Sequence, residues 1–372
     1  MKTNIELIEN EMIKAAIDWL RSRLPENWEI DPTGRQIHAP RRGRANAAFD
    51  LKSPDGMFAT VVVEAKKSFS PRDVDLLLGG LGRTLRDLAG NIPILVVSQW
   101  LSDGSRNRLR SEGINYIDLT GNSLLRLDNP AVFIETAGAF KDPYPLNRGK
   151  VRLQGPRAAR VVRNLVDVRP PFGVRELAAA SEMTPGYVSR LLTTLDAEAL
   201  IERTGRGRVI SVDIDGLIRR WASSYDIFRT NRTATYLAPL GASRTLGRID
   251  SIRHRTAVTG SFAAARIAPV AGPALLVVYC DDPAVVAKEL ELIPTDEGAN
   301  VALLEPFDPI VWERTSEEVG IRYVAPSQVA VDCLTGNGRM PAEGEAILQW
   351  LIKNEDLWRQ PTLSSVSKEG TI

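Results

Sequence analysis

The sequence predicts an α/β protein built from several domains, and three observations lead to this prediction. The chain has 372 residues, more than one ordinary hydrophobic core accommodates. Short β-branched runs alternate with stretches of helical apolar periodicity, a pattern typical of α/β folds. The net charge is about 0 over residues 1–147, +7 over 148–232 and −6 over 233–372. A basic middle segment of this kind indicates that the middle faces a polyanion.

The composition excludes several classes of protein. Hydrophobic residues make up 44% of the chain and charged residues 25%, as in soluble globular proteins. No apolar run approaches the roughly 20 residues that cross a bilayer, and the acidic N-terminus does not resemble a signal peptide. We therefore expect a cytoplasmic protein with no membrane partner. Cys280 and Cys333 are far apart in apolar stretches and predict buried thiols, while the isolated His38 and His254 argue against a histidine-based hydrolase or metal site.

The first segment, residues 1–145, is expected to be an α/β domain. It begins with an amphipathic helical pattern that ends before Pro25. A short antiparallel meander and then two helix–strand pairs follow, and this order predicts a mixed sheet. The predicted strands are residues 28–30, 45–52, 58–66, ILVVS and INYIDL, and the predicted helices run from Ser70 to Leu85 and from Ser102 to Glu112.

The motif VVVEAKK at residues 61–67 gives this segment its candidate site. Glu64 and Lys66 are alternate residues of a strand and therefore share a face, and Asp50 lies on the preceding strand. Two carboxylates and a lysine are the groups that Mg²⁺-dependent phosphodiester cleavage requires. In its motif and element order the segment resembles the restriction-endonuclease-like fold of PD-(D/E)XK nucleases, with Phe49 where the motif has proline. The resemblance implies that Asp50 and Glu64 are metal ligands and that Lys66 is the catalytic lysine.

The turn between the two strands decides whether this site can form. A two-residue turn centred on Asp55 and Gly56 pairs position i with position 111 − i, which places Asp50 and Glu64 on opposite faces of the sheet. A three-residue loop, or a bulge near Pro54, restores the common face. The alternative interpretation of these residues is a charged strand end in an inactive nuclease-like domain, which requires no cofactor.

Other polar groups of the first segment carry weaker signals. Gln99 and residues 118–122 lie at predicted strand ends, where they could line a site or only shape a turn. The run at residues 41–44, RRGR, is typical of a solvated face. Residues 142–155 are rich in proline, glycine and cations and predict a domain boundary.

The second segment, residues 156–230, has the element order of a winged helix-turn-helix. Three helical patterns precede two strand-like halves around a Gly-Arg-Gly turn. The segment resembles the winged helix-turn-helix domains of bacterial transcription regulators, with SEMTPGYVSRLL as turn and recognition helix and TGRGRV as wing tip. The predicted helices are residues 157–168, 174–181 and 184–200.

Double-stranded DNA is the expected partner of this segment. The solvent face of the third helix offers short hydrogen-bonding groups, an aromatic ring and a guanidinium, and the wing offers arginines for phosphates or a minor groove. The upstream stretch RGKVRLQGPRAARVVR adds six basic residues and no acid. The alternative is a structural or partner-binding helical module. The candidate DNA-binding residues are Thr184, Gly186, Tyr187, Ser189, Arg190, Arg203, Arg206 and Arg208.

The third segment, residues 233–360, is predicted to be a further α/β domain, followed by a disordered tail at 361–372. Its stretches AVTGSFAAARIAPVAGPALLVVYCDDP and APSQVAVDCLTGNGR resemble the C-terminal part of AbiEi-family antitoxins. This resemblance implies a regulator that represses its own operon and has a cognate toxin as partner. Gly260-Ser261 also resembles the start of a nucleotidyltransferase fold, but Asp281 and Asp282 are adjacent and diverge, so they cannot share a metal.

Two hypotheses for function follow. The leading one is a sequence-specific DNA-binding transcriptional regulator, antitoxin-like and autorepressing, which acts as a homodimer. The alternative is a Mg²⁺-dependent PD-(D/E)XK endonuclease that the winged helix directs to DNA. The first needs no cofactor, and the second needs Mg²⁺ at the Asp50, Glu64 and Lys66 site.

Overall fold

The computed structural model describes residues 4–32, 38–39, 43–44, 47–79, 92–140, 142–143, 153 and 155–363. Four features of the sequence analysis lie wholly or largely outside these ranges: the helix end at Leu85, the arginines at 41 and 42, most of the boundary at 142–155, and tail residues 364–372. The chain divides into two compact units, Met1–Arg148 with Asp196–Ala199, and the rest of the chain from Gly149. The mixed α/β architecture is confirmed, and the division into three domains stays a prediction.

The first unit contains a seven-stranded sheet in the order β1-β4-β5-β6-β7-β8-β9. The strands β5, β6 and β7 are parallel, and the neighbours on either side are antiparallel, which gives the predicted mixed sheet. Its last hairpin, β8 and β9, was not predicted. The elements are α1 Asn4–Arg21, β1 Glu29–Pro32, β2 His38–Ala39, β3 Gly43–Arg44, β4 Ala47–Lys52, β5 Phe58–Ala65, α2 Pro71–Leu77, β6 Ile94–Ser98, α3 Asp103–Ser111, β7 Asn115–Asp118, β8 Ser123–Asp128 and β9 Ala131–Thr136.

The two faces of this sheet bury different helices. Val61 and Val63 of β5 pack with α1 residues such as Met12. Val62, on the other face, packs with Val74 of α2 and with residues of α3. Because side chains alternate along a strand, the even-numbered residues of β5 share the α2 and α3 face.

The second unit begins with three helices and a two-stranded antiparallel sheet, in the order that the sequence predicts. Phe172, in the connection between the first two helices, forms two backbone hydrogen bonds with Val209 of the second strand, at 3.2 and 3.0 Å. This third strand-like segment was not predicted. The elements are α4 Pro156–Asp167, α5 Val174–Ala180, α6 Pro185–Ala197, β10 Ile201–Arg203 and β11 Val209–Val212.

The rest of this unit is a second seven-stranded sheet, in the order β15-β12-β16-β14-β13-β18-β17. One continuous hydrophobic core includes the first helices of the unit and this sheet. Cys280 and Cys333 are buried thiols within it, as predicted. The elements are α7 Ile214–Ala222, α8 Ile227–Thr230, β12 Arg232–Leu237, α9 Ala242–Leu246, β13 Thr256–Thr259, α10 Gly260–Ile267, β14 Leu276–Cys280, α11 Pro283–Glu289, β15 Ile293–Pro294, β16 Val301–Glu305, a 3₁₀ helix Pro309–Trp312, β17 Ser316–Glu318, β18 Ile321–Tyr323, α12 Pro326–Leu334, α13 Met340–Lys353 and α14 Glu355–Trp358.

A buried arginine joins α4 to the C-terminal elements. Arg163 has no exposed surface, and its guanidinium donates to Asp167 at 2.9 Å and to Gln328 of α12 at 2.9 Å. It also donates to the carbonyl oxygens of Ile310 at 3.4 Å and Glu313 at 3.2 Å. A buried guanidinium needs such partners because the desolvation of a charge costs several kcal/mol. Among the helices that the structure describes, none is long and apolar enough to cross a membrane.

Candidate functional site

The hairpin of β4 and β5 settles the register of the acidic motif. Ser53 donates its backbone N–H to Met57 at 2.8 Å, so the loop holds three residues, Pro54 to Gly56, and Gly56 has the positive φ of +83° that such loops need. Position i therefore pairs with 110 − i, and the two-residue turn is wrong. Asp50 pairs with Thr60 and consequently shares a sheet face with Glu64.

The common face does not bring Asp50 to Glu64. Asp50 lies opposite Thr60, whose Oγ1 donates to its Oδ1 at 2.6 Å. Glu64 is four residues farther along β5, about 13 Å at the usual rise of a strand. Within the described part of the chain, no three His, Cys, Asp or Glu side chains form a group that could hold a metal ion. A metal bound by Asp50 and Glu64 together is thus not preformed.

The ionisation of Glu64 is strongly perturbed. Burial, followed by repulsion from Glu9 and then from Asp73, raises the pKa of Glu64 to about 7, against the attraction of Lys66. The Glu64 carboxyl therefore lies among other acids with too little compensating positive charge. A bound cation would supply that charge, and Mg²⁺ is commonly held by only one or two carboxylates. Glu64 could fill that role as a single carboxylate ligand.

Lys66 is engaged at the start of α2. It forms an ion pair with Asp73, which also accepts hydrogen bonds from the Ser70 backbone N–H at 2.8 Å and from Ser70 Oγ at 2.6 Å. Burial of Asp73 is outweighed by these hydrogen bonds, and its pKa lies below the ordinary value. Lys66 must leave Asp73 before it can contact a substrate.

Glu9 and Asp73 were missed in the sequence. Glu9 lies on α1 and is 55 residues from Glu64, so no spacing rule connects them. Asp73 follows Ser70 at the spacing of a capping box, a signal that the sequence did carry.

The strand end at Asp118 serves a turn. The buried Asp118 carboxylate accepts hydrogen bonds from the backbone N–H groups of Leu101 at 3.0 Å, Thr120 at 2.9 Å and Asn122 at 3.1 Å. These bonds use its acceptor capacity within the protein. Of the two roles left open for residues 118–122, the structure favours turn chemistry.

A second candidate site lies at the N-terminal end of α6. Its apolar side is fully buried through Val188, Leu191, Leu192 and Leu195. On the other side Thr184, Gly186 and Arg190 are exposed, and Tyr187 and Ser189 are partly buried. The guanidinium of Arg190 forms no hydrogen bond or ion pair with any described residue. The side of α6 that the sequence assigned to DNA is thus the side left to solvent.

The three arginines of the β10–β11 hairpin have different surroundings. Arg203 donates to the carbonyl of Gly207 at 3.2 Å and to Thr193 Oγ1 at 3.4 Å, so it braces its own hairpin. Arg208 pairs with Glu176 at 3.3 Å. Arg206, at the exposed tip, has no ion pair with any residue that the structure describes.

The basic residues upstream of α6 also divide into two kinds. Arg160 pairs with Asp308 at 3.0 Å and Glu182 at 2.8 Å, and Arg163 is buried, so both guanidiniums are bound within the protein. Arg157 is exposed. Burial raises the pKa of the Tyr187 phenol, and the positive charge of Arg157 acts against that rise. Arg157 therefore extends the positive surface beside α6.

The Gly260-Ser261 turn is occupied by the protein's own groups. Ser261 Oγ donates to the buried carboxylate of Glu343 at 2.6 Å, and Thr259 Oγ1 donates to Asp332 at 2.7 Å. Asp282 accepts the backbone N–H of Ala284 at 3.0 Å and caps α11. These contacts agree with a structural turn and leave no anion site at the start of α10.

Comparisons with known proteins gave few results. No model of a protein family and no curated protein matched the chain. Three solved structures are similar over 28% of this chain, and the chain spans less than half of their length, at 44–46%. They are described as the crystal structure of a repair endonuclease from Pyrococcus abyssi (21% identity, TM-score 0.21), EndoMS in apo form (24%, 0.20) and an EndoMS-dsDNA2 complex (25%, 0.21).

A TM-score near 0.2 carries no argument about this chain. The proposals that follow therefore rest on its own residues.

Proposed function

We propose that the protein binds double-stranded DNA through the N-terminal end of α6 and the tip of the β10–β11 hairpin. The observation that carries the proposal is the pair Arg190 and Arg206, two exposed guanidiniums on neighbouring elements that have no acidic partner among the described residues. Unpaired arginines on an exposed helix start and hairpin tip are suited to base edges and phosphates. The order of helices, the hairpin and the Phe172 pairing support a winged helix-turn-helix.

Each residue has a distinct expected role. Arg190, on the helix that would enter the major groove, suits bidentate contact with a base, and Arg206 suits a phosphate. Arg203 and Arg208 would hold the hairpin in place, since their guanidiniums are already bonded within the protein. Arg157 and Tyr187 extend the contact surface at the helix start.

The test is fluorescence anisotropy with labelled duplex DNA over a range of salt concentrations. Arg206→Gln should weaken binding to all sequences and reduce the slope of log affinity against log salt by about 1. Arg190→Gln should cost about 1–3 kcal/mol on the preferred site obtained by selection from a random duplex pool, and much less on other DNA. Arg244→Gln, which removes an exposed arginine of α9 without an ion pair to described residues, is the matched control.

Two results would contradict the proposal: salt-independent or absent DNA binding by the wild type, or unchanged binding by both variants. Selection of a defined, pseudo-palindromic sequence would extend it to the regulator, the homodimer and control of the protein's own operon. Recovery of a toxin encoded beside it would support the antitoxin-like role. If the selection yields no preferred sequence, the proposal of a sequence-specific regulator is refuted, whereas the proposal of DNA binding is not.

A second candidate, a Mg²⁺-dependent endonuclease, is favoured by the shared face of Asp50, Glu64 and Lys66 and by the raised pKa of Glu64. When bound, Mg²⁺ would stabilise the negative charge that develops on the phosphate oxygens and would activate water. Glu64 would hold the ion, and Lys66 would orient the water after it leaves Asp73. Asp50 would have to move along the hairpin to take part.

The endonuclease assay is incubation of plasmid and linear duplex DNA with Mg²⁺ or Mn²⁺. Cleavage by the wild type should be lost in Glu64→Gln and Lys66→Ala and retained in Lys67→Ala, whose lysine neighbours the motif and is exposed. No cleavage by the wild type, or cleavage that persists in both motif variants, would remove this candidate. An Asp50→Asn variant that still cleaves would show that Asp50 is dispensable, as its pairing with Thr60 implies.

A further inference from the structure

An open cavity on the C-terminal sheet of the second unit has an unusually basic lining. Its volume is about 620 Å³, within the range of small-molecule sites in proteins. It is lined by Arg253, His254, Arg255, Trp312, Thr315 and Arg322, together with one aliphatic side chain. The lining holds three guanidiniums and an imidazole, and it holds no carboxylate.

The three guanidiniums of the lining, those of Arg253, Arg255 and Arg322, form no ion pair with any residue in the described ranges. Glu317 is the cross-strand partner of Arg322 in the β17–β18 hairpin but makes no ion pair with it. The carboxylate of Glu289 lies 3.4 Å from His254, outside the lining. The cavity therefore concentrates positive charge that no carboxylate of its own lining balances.

Besides burial, repulsion between Arg255 and Arg322 contributes to a lowered pKa of Arg255. Partial burial lowers the pKa of Arg255, Asp281 acts against that change, and Arg322 lowers the pKa further. A protein gains nothing in stability from like charges held this close, because their interaction is unfavourable. An anion in the cavity would reverse that interaction.

Two regular elements and the start of a third position the cations of the cavity, although residues 252–255 and Thr315 lie in connecting segments. The guanidinium of Arg255 lies over the ring of Trp312, 4.5 Å from its centroid, and Trp312 is almost fully buried at the end of its 3₁₀ helix. Arg255 directly precedes β13, and Arg322 lies on β18, the parallel neighbour of β13. Stacking on an aromatic face fixes the plane of the guanidinium and leaves its N–H groups free to donate.

We propose that this cavity binds a small ligand that carries a phosphate or polyphosphate group, of the size of a nucleoside triphosphate. Guanidinium groups donate two parallel hydrogen bonds to phosphate oxygens, and three of them around one cavity match a multiply charged anion. Thr315 adds a hydroxyl that can donate to the same oxygens. The concave shape favours a compact ligand over the backbone of a DNA duplex, which contacts convex ridges and helix ends.

The test is isothermal titration calorimetry of the full chain with ATP and, separately, with inorganic pyrophosphate, at constant ionic strength. The wild type should bind both, and Arg255→Gln and Arg322→Gln should each raise Kd at least tenfold. Arg244→Gln, an exposed unpaired arginine outside the cavity, should bind as the wild type does. If Arg255→Gln impairs folding because it removes the stacking on Trp312, Arg253→Gln, at an exposed position, provides a third variant.

Either of two outcomes would overturn the proposal. One is no heat of binding for ATP and pyrophosphate at millimolar concentration. The other is equal binding by wild type and the cavity variants, which would place the ligand elsewhere. If the cavity variants instead reduce the salt slope of DNA binding while small phosphates do not bind, the cations belong to a DNA surface and the proposal also fails. The proposal does not depend on DNA binding, and a negative result here leaves that function untouched.

Discussion

Replacing Glu64 with glutamine should stabilise the first unit at alkaline pH. The folded protein raises the pKa of Glu64 from 4.5 to about 7, so the folded state holds this proton more tightly than the unfolded chain does. The penalty for ionised Glu64 is therefore absent below about pH 4.5, grows as the pH rises, and is complete above about pH 7. A shift of this size corresponds to an upper limit of about 3.4 kcal/mol. Because Glu64 is only partly buried, solvent screening reduces the effect, and we expect about 2 kcal/mol.

Urea denaturation at pH 5 and pH 8 measures this difference, and deuterium exchange of the β5 amides assigns it to the first unit. Glu64→Gln should gain stability over the wild type mainly at pH 8. Glu26→Gln, which changes an exposed glutamate of the same unit, should show the same small difference at both pH values. An equal effect of Glu64→Gln at pH 5 and pH 8 would refute the reasoning, since the penalty would then not arise from ionisation.

The remaining predictions concern the cation, the buried arginine and a glycine. At pH 8, Mg²⁺ should stabilise the wild type and leave Glu64→Gln unchanged in the same urea titration; equal stabilisation of both would place the ion elsewhere. Arg163→Met should lower the free energy of unfolding by about 3 kcal/mol, because it removes one partner of a buried pair, whereas Arg244→Met should change it little. Gly260→Ala should cost about 1–3 kcal/mol in thermal or urea unfolding, since φ is +62° and the new Cβ would lie 3.1 Å from Val277 Cγ2. An unchanged midpoint would contradict that strain.

The β4–β5 hairpin shows how far local sequence rules reach. Residues 53–56, SPDG, correctly predicted a tight connection between β4 and β5. These turn residues are compatible with both a two-residue and a three-residue loop. The choice between them changes every cross-strand pair by one position and decides which face Asp50 occupies. Packing of β4 and β5 against the helices on both faces selects the register, and that information is spread over α1, α2 and α3.

Long-range partners account for the rest of what was missed. The raised pKa of Glu64 depends on Glu9 and Asp73, which neither its own strand nor the motif contains. In the same way Arg160 and Arg163 looked like further phosphate contacts in a basic stretch, but Asp308 and Gln328, far along the chain, bind them. Helical and strand patterns were reliable because they depend on residues that are neighbours in the sequence. The partners of an individual charged side chain could not be predicted in this way, because they lie far along the chain.

The partners of Arg163 have a consequence for how this protein can be divided. The sequence suggests a cut between residues 230 and 233. Such a cut would separate Arg163 from Gln328 and from the carbonyl oxygens of Ile310 and Glu313, so that Asp167 alone would remain of the four acceptors named above. The helices of residues 156–230 should thus not be portable: transplanted alone into another protein, they would need a new acceptor set for one arginine before they could fold.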